Sequence, residues 1–177
     1  MRAHRTPFEI LAHYERLSLA HVAGSAERLE APGQWRGIGY RAGSQLLVSG
    51  IDEISELLAP TALTSVPGTR PWLLGVANVR GNLVPVIDLA RFLFGERTAL
   101  TERSRWLVVP QGQGQVALLV DEVFGQRVVD AEQRQAGEPE QDPRLARFAD
   151  QRVGEQRMAL FSMRRLVRAP DFRQAAA

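Results

Sequence analysis

Three histidines, two adjacent pairs of carboxylates and a few serines are the side chains of this 177-residue sequence that could do chemistry. A metal centre would need its ligands to converge. His4, His13 and His21 all lie near the N-terminus; on a helix, His13 and His21 would sit about 12 Å apart along the axis and about 80° apart around it, too far to share one ion. Either could accept a phosphoryl group from another protein, but a surface or edge-of-core histidine accounts for both more simply. Asp52-Glu53 and Asp121-Glu122 are neighbours in sequence. Successive residues on a strand face opposite sides, so neither pair makes a two-carboxylate active site by itself. Ser49, Ser65 and Ser162 have no histidine nearby to activate them, and no G-x-S-x-G turn is present. Gly37-Ile38-Gly39 and Gly112-Gln113-Gly114 lack the third glycine, the lysine and the helix of a phosphate cradle. There is no cysteine, which excludes disulfides, thiolate metal sites and a cysteine nucleophile. The expectation is a non-catalytic protein with no cofactor, no metal and no small-molecule substrate.

The elements that would carry these residues change character along the chain. Thr6-Pro7-Phe8-Glu9 has the pattern of a capping box with proline at the first helical position. Ile10, Tyr14, Leu17 and His21 then recur with helical spacing, predicting a helix to about Val22. Ala23 to Gln34 reads as a connector. Beyond it come short β-type runs: Arg36 to Arg41, Gln45 to Ser49, Leu73 to Val79, Leu83 to Ile87, Trp106 to Val109, Val116 to Val120, Val123 to Val129 and Arg157 to Phe161. Many short strands with Gly or Pro between them favour a barrel or sandwich over a parallel α/β sheet. A short helix is expected after Asp88 as N-cap, stopped by Gly95, and another near Met163 to Arg168. Gln135 to Pro143 is expected as an exposed loop. The organisation reads as a helical extension and connector over 1–34, a main domain over 35–170 and a flexible tail over 171–177.

A pI near 9.9 suggests nucleic acid, yet the formal net charge is only +2. Every one of the 22 basic residues is arginine. Arginine stays charged far above neutral pH, so a small positive excess raises the pI without implying a basic face. The arginines alternate with Asp and Glu rather than gathering into a patch. A small-barrel nucleic-acid binder is therefore the alternative of a different class, disfavoured by the lack of a basic groove with aromatic platforms. Met1 to Leu11 has no apolar stretch of the secretory kind, and nowhere are there about 20 consecutive apolar residues, so a cytoplasmic protein without direct membrane insertion is expected.

The segment that departs from this background runs from Pro67 to Leu89. It reads as two apolar strands meeting at Arg80-Gly81-Asn82, with Gly and Asn supplying the positive φ of a tight turn and Arg80 raised at the tip. Pro85 donates no ladder hydrogen bond, which points to an edge or a bulge. Physical reasoning leaves two readings open, a soluble hairpin tip and a partner-docking element. Asp88 is accounted for as a helix cap, and Trp72 and Trp106 as packing residues.

Gly75-Val76-Ala77-Asn78-Val79-Arg80-Gly81-Asn82-Leu83-Val84-Pro85-Val86-Ile87-Asp88-Leu89 resembles the signature of CheW-like domains, and Leu118 to Gly125 resembles that family's later strand pair. The resemblance covers roughly Trp35 to Arg168. It implies a mainly β fold of two interlocked five-stranded SH3-like barrels with a few short helices, to which the N-terminal helix is added. It also implies a non-catalytic adaptor between the signalling tip of a methyl-accepting chemoreceptor and the regulatory domain of a CheA-type histidine kinase, recruited to membrane-associated receptor arrays. Thr6 to Leu11 and Trp35 to Tyr40 are similar in particular to adaptors of the chemosensory system controlling type IV pili and twitching motility; a flagellar chemotaxis coupling protein is the alternative. Carried over by position, the partner-binding residues are Ile54, Ser55, Glu56, Gly75, Asn78, Arg80 and Gly81, with Glu56 and Arg80 expected as an ion pair.

Overall fold

The computed structural model describes residues 34–175, which are mainly β. The expected leader helix and its connector up to Gly33 lie outside the described residues. The chain begins with a hairpin of β1 (Trp35–Ala42) and β2 (Gln45–Gly50), passes through a single 3-10 turn (Ile51–Glu53) and enters β3 (Glu56–Leu58). A second hairpin, β4 (Leu73–Val79) and β5 (Asn82–Asp88), leads into helix α1 (Leu89–Phe94). Then follow β6 (Arg105–Gln111), β7 (Gly114–Val120), β8 (Glu122–Val129), α2 (Ala131–Gln135), β9 (Glu138–Pro139), β10 (Ala149–Val153), β11 (Met158–Phe161), α3 (Met163–Arg168) and α4 (Pro170–Arg173).

One sheet has the order β8-β1-β2-β11-β10-β9 and the other β3-β6-β7-β5-β4. The chain lays down two strands of the first, leaves to build the whole of the second, and returns at β8. That excursion interlocks the two SH3-like barrels. The first sheet has one strand more than the five expected, the two-residue β9. In the second barrel, β3 and β4 are the outer strands of the order, and two contacts bring those edges together. Thr64, just after β3, exchanges both backbone hydrogen bonds with Val76 of β4 at 2.9 Å, and Glu56 of β3 meets Arg80 at the β4–β5 tip.

Alternation along the strands explains where the core sits. Trp106 and Val108 of β6 and Ala117 and Leu119 of β7 face inside the second barrel with Ala77, Val79, Val84 and Val86. Leu107, Val109, Val116, Leu118 and Val120 face the other way, into a core shared with Tyr40, Leu47 and Phe161 of the first barrel. A smaller cluster of Val48, Val129, Val153 and Met158 lies on the first barrel's far side. Strands buried on both faces read as continuous apolar runs, as β6 and β7 do.

The helix ends follow the expected chemistry. Asp88 Oδ1 accepts the Arg91 N–H at 3.1 Å, and Gly95 ends α1 with φ 76°. Three expectations are corrected. Pro85 does not mark an edge strand, because β5 lies between β7 and β4; the β7 ladder begins at Val86, so the missing N–H falls just before it. Gln135 to Pro143 is not simply a loop: β9 runs through it, and the buried Glu140 carboxylate anchors it to Arg152 of β10 at 3.1 Å. The segment 171–177 is not a free tail at its start. Pro170–Arg173 is helical, Phe172 is buried, and Trp72 stacks on it with ring centroids 6.1 Å apart. Pro170 at the first helical turn and an apolar Phe172 are the local signals for this. Replacing Phe172 with alanine is expected to cost about 3 kcal/mol of unfolding free energy, read from chemical denaturation, since it empties a packed aromatic site.

Candidate partner-docking site

The β4–β5 connection is two residues long, with Val79 opposite Asn82. Such a loop matches the twist of its strands when both central residues have positive φ. Here they are Arg80 at 51° and Gly81 at 87°. The expectation had placed the positive φ on Gly81 and Asn82; Asn82 is a strand residue, and the non-glycine in the left-handed region is the arginine itself. Asn78 helps hold it there: its Oδ1 accepts the Gly81 N–H at 2.8 Å, closing the turn from the side. Arg80 is thereby presented on a fixed backbone with its side chain 75% exposed.

Across the barrel closure, Glu56 Oε2 lies 3.1 Å from the Arg80 guanidinium. That oxygen is shielded from water and accepts no hydrogen bond of good geometry, so the charge contact with Arg80 is its compensation. The pair is 24 residues apart in sequence and was expected from the family resemblance. Ser55 is exposed, and its N–H bonds the Val108 carbonyl at 2.8 Å, which seats β3 on β6. Ile54 is half-buried against the shared core. Of the seven carried-over positions, Ser55, Glu56, Asn78, Arg80 and Gly81 therefore gather at one end of the second barrel.

Gly75 does not belong to that surface. It is buried, with φ 146°, and a Cβ there would lie 2.4 Å from the Thr64 carbonyl oxygen. Glycine is required for Thr64 to approach β4. One residue missed by sequence reasoning borders the tip instead: Leu83, opposite Asn78 and 77% exposed. The available signal was strand alternation, which sends Val84 inward and therefore Leu83 outward. An exposed leucine next to the charged tip adds an apolar contact.

His4, His13 and His21 lie outside the described residues, and among those described the carboxylate pairs, Asp88, Ser49 and Ser162 are engaged in structural contacts. Asp88 is fully buried, and besides capping α1 it accepts the Thr98 N–H at 2.9 Å and the Thr98 hydroxyl at 2.8 Å. Ser49 donates to the Phe161 carbonyl at 2.7 Å, which leaves Tyr40 as donor in their 2.9 Å contact. Burial pushes the Tyr40 phenol well above the ordinary tyrosine range, so it stays a neutral donor. Glu53 accepts from the Met163 N–H at 2.9 Å and the Ser162 hydroxyl at 3.2 Å, while Asp52 pairs with Arg164. Asp121 accepts the Gly43 N–H at 2.7 Å, and Glu122 pairs with Arg41 at 3.2 Å.

A tight N-x-R-G hairpin tip closing a second, inserted barrel has a counterpart in known proteins: residues 36–169 match the CheW-like domain family. The chain belongs to that family. It is 40% identical over 121 residues to protein PilI of Pseudomonas aeruginosa, a match spanning 68% of each chain. It is 32% identical over 88 residues to protein FrzA of Myxococcus xanthus, half of this chain and 55% of that one. To chemotaxis protein CheW of Thermotoga maritima it is 29% identical over 92 residues, 50% of this chain and 58% of the other. The crystal structure of the scaffolding protein TtCheW from Thermoanaerobacter tengcongensis superposes with a TM-score of 0.60 at 21% identity, covering 72% of this chain and 87% of that one. That last likeness speaks to the fold, and it agrees with the two interlocked barrels. The CheW-like family is one of chemotaxis adaptors and scaffolds, the coarse class to which this chain is assigned.

Two measurements probe the geometry. Gly75→Ala combines a positive-φ penalty with a backbone clash and is expected to lose on the order of 3 kcal/mol in chemical denaturation. A double-mutant cycle of Arg80→Ala and Glu56→Gln is expected to give a coupling of about 1 kcal/mol, above a surface pair's lower limit because one oxygen is shielded. Coupling near zero would mean the pair does not hold the closure.

Proposed function

We propose that this chain is a non-catalytic cytoplasmic adaptor that couples a methyl-accepting chemoreceptor to a CheA-type histidine kinase in the pathway controlling type IV pili. The observation that carries the reading is the held arginine: Asn78 fixes the turn beneath it, Glu56 orients its guanidinium, and Leu83 borders it. A charged group fixed before binding, with an apolar neighbour, loses little conformational freedom on docking. Ser55, Asn78, Arg80 and Leu83 form the proposed contact surface. Ile54, Gly75 and Gly81 shape it from below. The pilus pathway is supported by the likeness to PilI and by the Thr6 to Leu11 and Trp35 to Tyr40 segments. Among the described residues no helix is long and apolar enough to cross a membrane, so array recruitment is assigned to the protein partners.

The test is affinity purification of the tagged full chain from its own cells. Recovery of a histidine kinase together with a methyl-accepting receptor is expected, and loss of the protein is expected to abolish twitching. Recovery of neither partner overturns the adaptor reading; recovery of both with normal twitching and lost swimming replaces the pilus assignment with a flagellar one. Arg80→Glu is expected to lower recovery at least tenfold, since rim charges act on encounter and register. Restoration by adding Glu56→Arg assigns the ion pair an orienting role, and persistent loss assigns Arg80 a direct contact with an acidic partner group.

A further inference from the structure

Below the tip, the β4–β5 hairpin has a second use. Strand alternation turns Ala77 and Val84 into the barrel interior, so Val76 and Pro85 face outward. There they line a groove of about 840 Å³ whose opposite side is α3 and α4, with Val167 and Phe172. Three arginines, Arg164, Arg168 and Arg173, share that side, and no Asp or Glu lines the groove. In a chain with 20 acidic residues, an apolar cleft whose charged lining residues are all arginines favours an acidic partner. Arg164 is occupied by Asp52 and Glu53. Arg168 and Arg173 are exposed and form no ion pair among the described residues.

The backbone decides what shape can bind. Strand β4 is at the edge of its sheet, which would invite an added strand. Where it borders the groove that edge is already occupied, however: Thr64 takes both hydrogen bonds of Val76, and the Leu73 N–H bonds the Arg70 carbonyl at 3.0 Å. An occupant must therefore satisfy its own backbone, as a helix does. A small molecule is poorly served, because the charged groups all come from one side, on α3 and α4.

We infer that this groove seats an amphipathic α-helix of a partner protein, its apolar stripe on Val66, Val76 and Pro85 and its carboxylates along the flank facing Arg168 and Arg173. The surface is separate from the Arg80 tip and does not depend on the pilus assignment.

The probe is a display library of single helices on a fixed scaffold, selected against the full-length protein. Enriched helices are expected to carry an i, i+3 or i+4, i+7 apolar stripe with Asp or Glu on one flank. Their affinity is expected to fall at least tenfold with Arg168→Glu plus Arg173→Glu and to survive Arg168→Lys plus Arg173→Lys. Arg80→Glu is expected to leave it unchanged, which separates this surface from the tip. Both arginines are exposed, so the variants keep the fold, as circular dichroism would verify. Several results overturn the inference: no binder, enrichment of basic or extended sequences, or undiminished affinity in the double reversal. So does photo-cross-linking from position 85 into this chain's own residues 1–33 or into a second copy.

Discussion

Strands β6 and β7 bury both faces, and the two-barrel arrangement follows from that constraint. Trp106, Val108, Ala117 and Leu119 fill the second barrel, while Leu107, Val109, Val116 and Leu118 from the same two strands form the shared core with the first. Because both faces are apolar, polarity cannot pin the register, and a slip by one residue would exchange the two sets. Volume and turn geometry do the pinning. A tryptophan fits one side only, and the short loop at Gly112, with φ 58°, pairs Gln111 with Gly114. A rigid relation between the barrels is the result, which suits the proposed adaptor role.

The polar residues around that core are structural for the same reason. A buried polar atom without a partner costs about as much as a lost hydrogen bond, so each is answered locally. Asp88 is answered by Thr98 and the α1 backbone, Ser49 by Phe161 and Tyr40, and Glu53 by the start of α3. Glu53 lies one turn before β3, so the crossover between barrels is fastened to the first barrel at Glu53 and to the second at Glu56.

That fastening bears on docking. The tip carrying Arg80 is anchored through β3 to the same crossover, and the groove beneath it is walled by α3, whose first residue Glu53 caps. Both proposed surfaces are therefore built on paired backbone rather than on free loops. Little ordering is needed on binding, and affinity then depends on a few exposed groups rather than on area.

Sequence by itself determined the elements and the family. Apolar runs bounded by turn residues, together with helix caps, were enough for β1, β4, β7 and α3, and the N-x-R-G motif was enough to place Arg80 at an exposed tip, because those signals are local. Local signals failed where a tertiary contact decides. Arg80 takes the left-handed conformation because a two-residue loop must follow the strand twist, and Gly75 must be glycine because Thr64 approaches it from a segment 11 residues earlier. Phe172 packs on Trp72, a hundred residues away, so a segment that reads as a tail is held in place. The arginine-walled groove arises only when the hairpin's outer face and the C-terminal helices meet. No sequence window contains both sides of that contact.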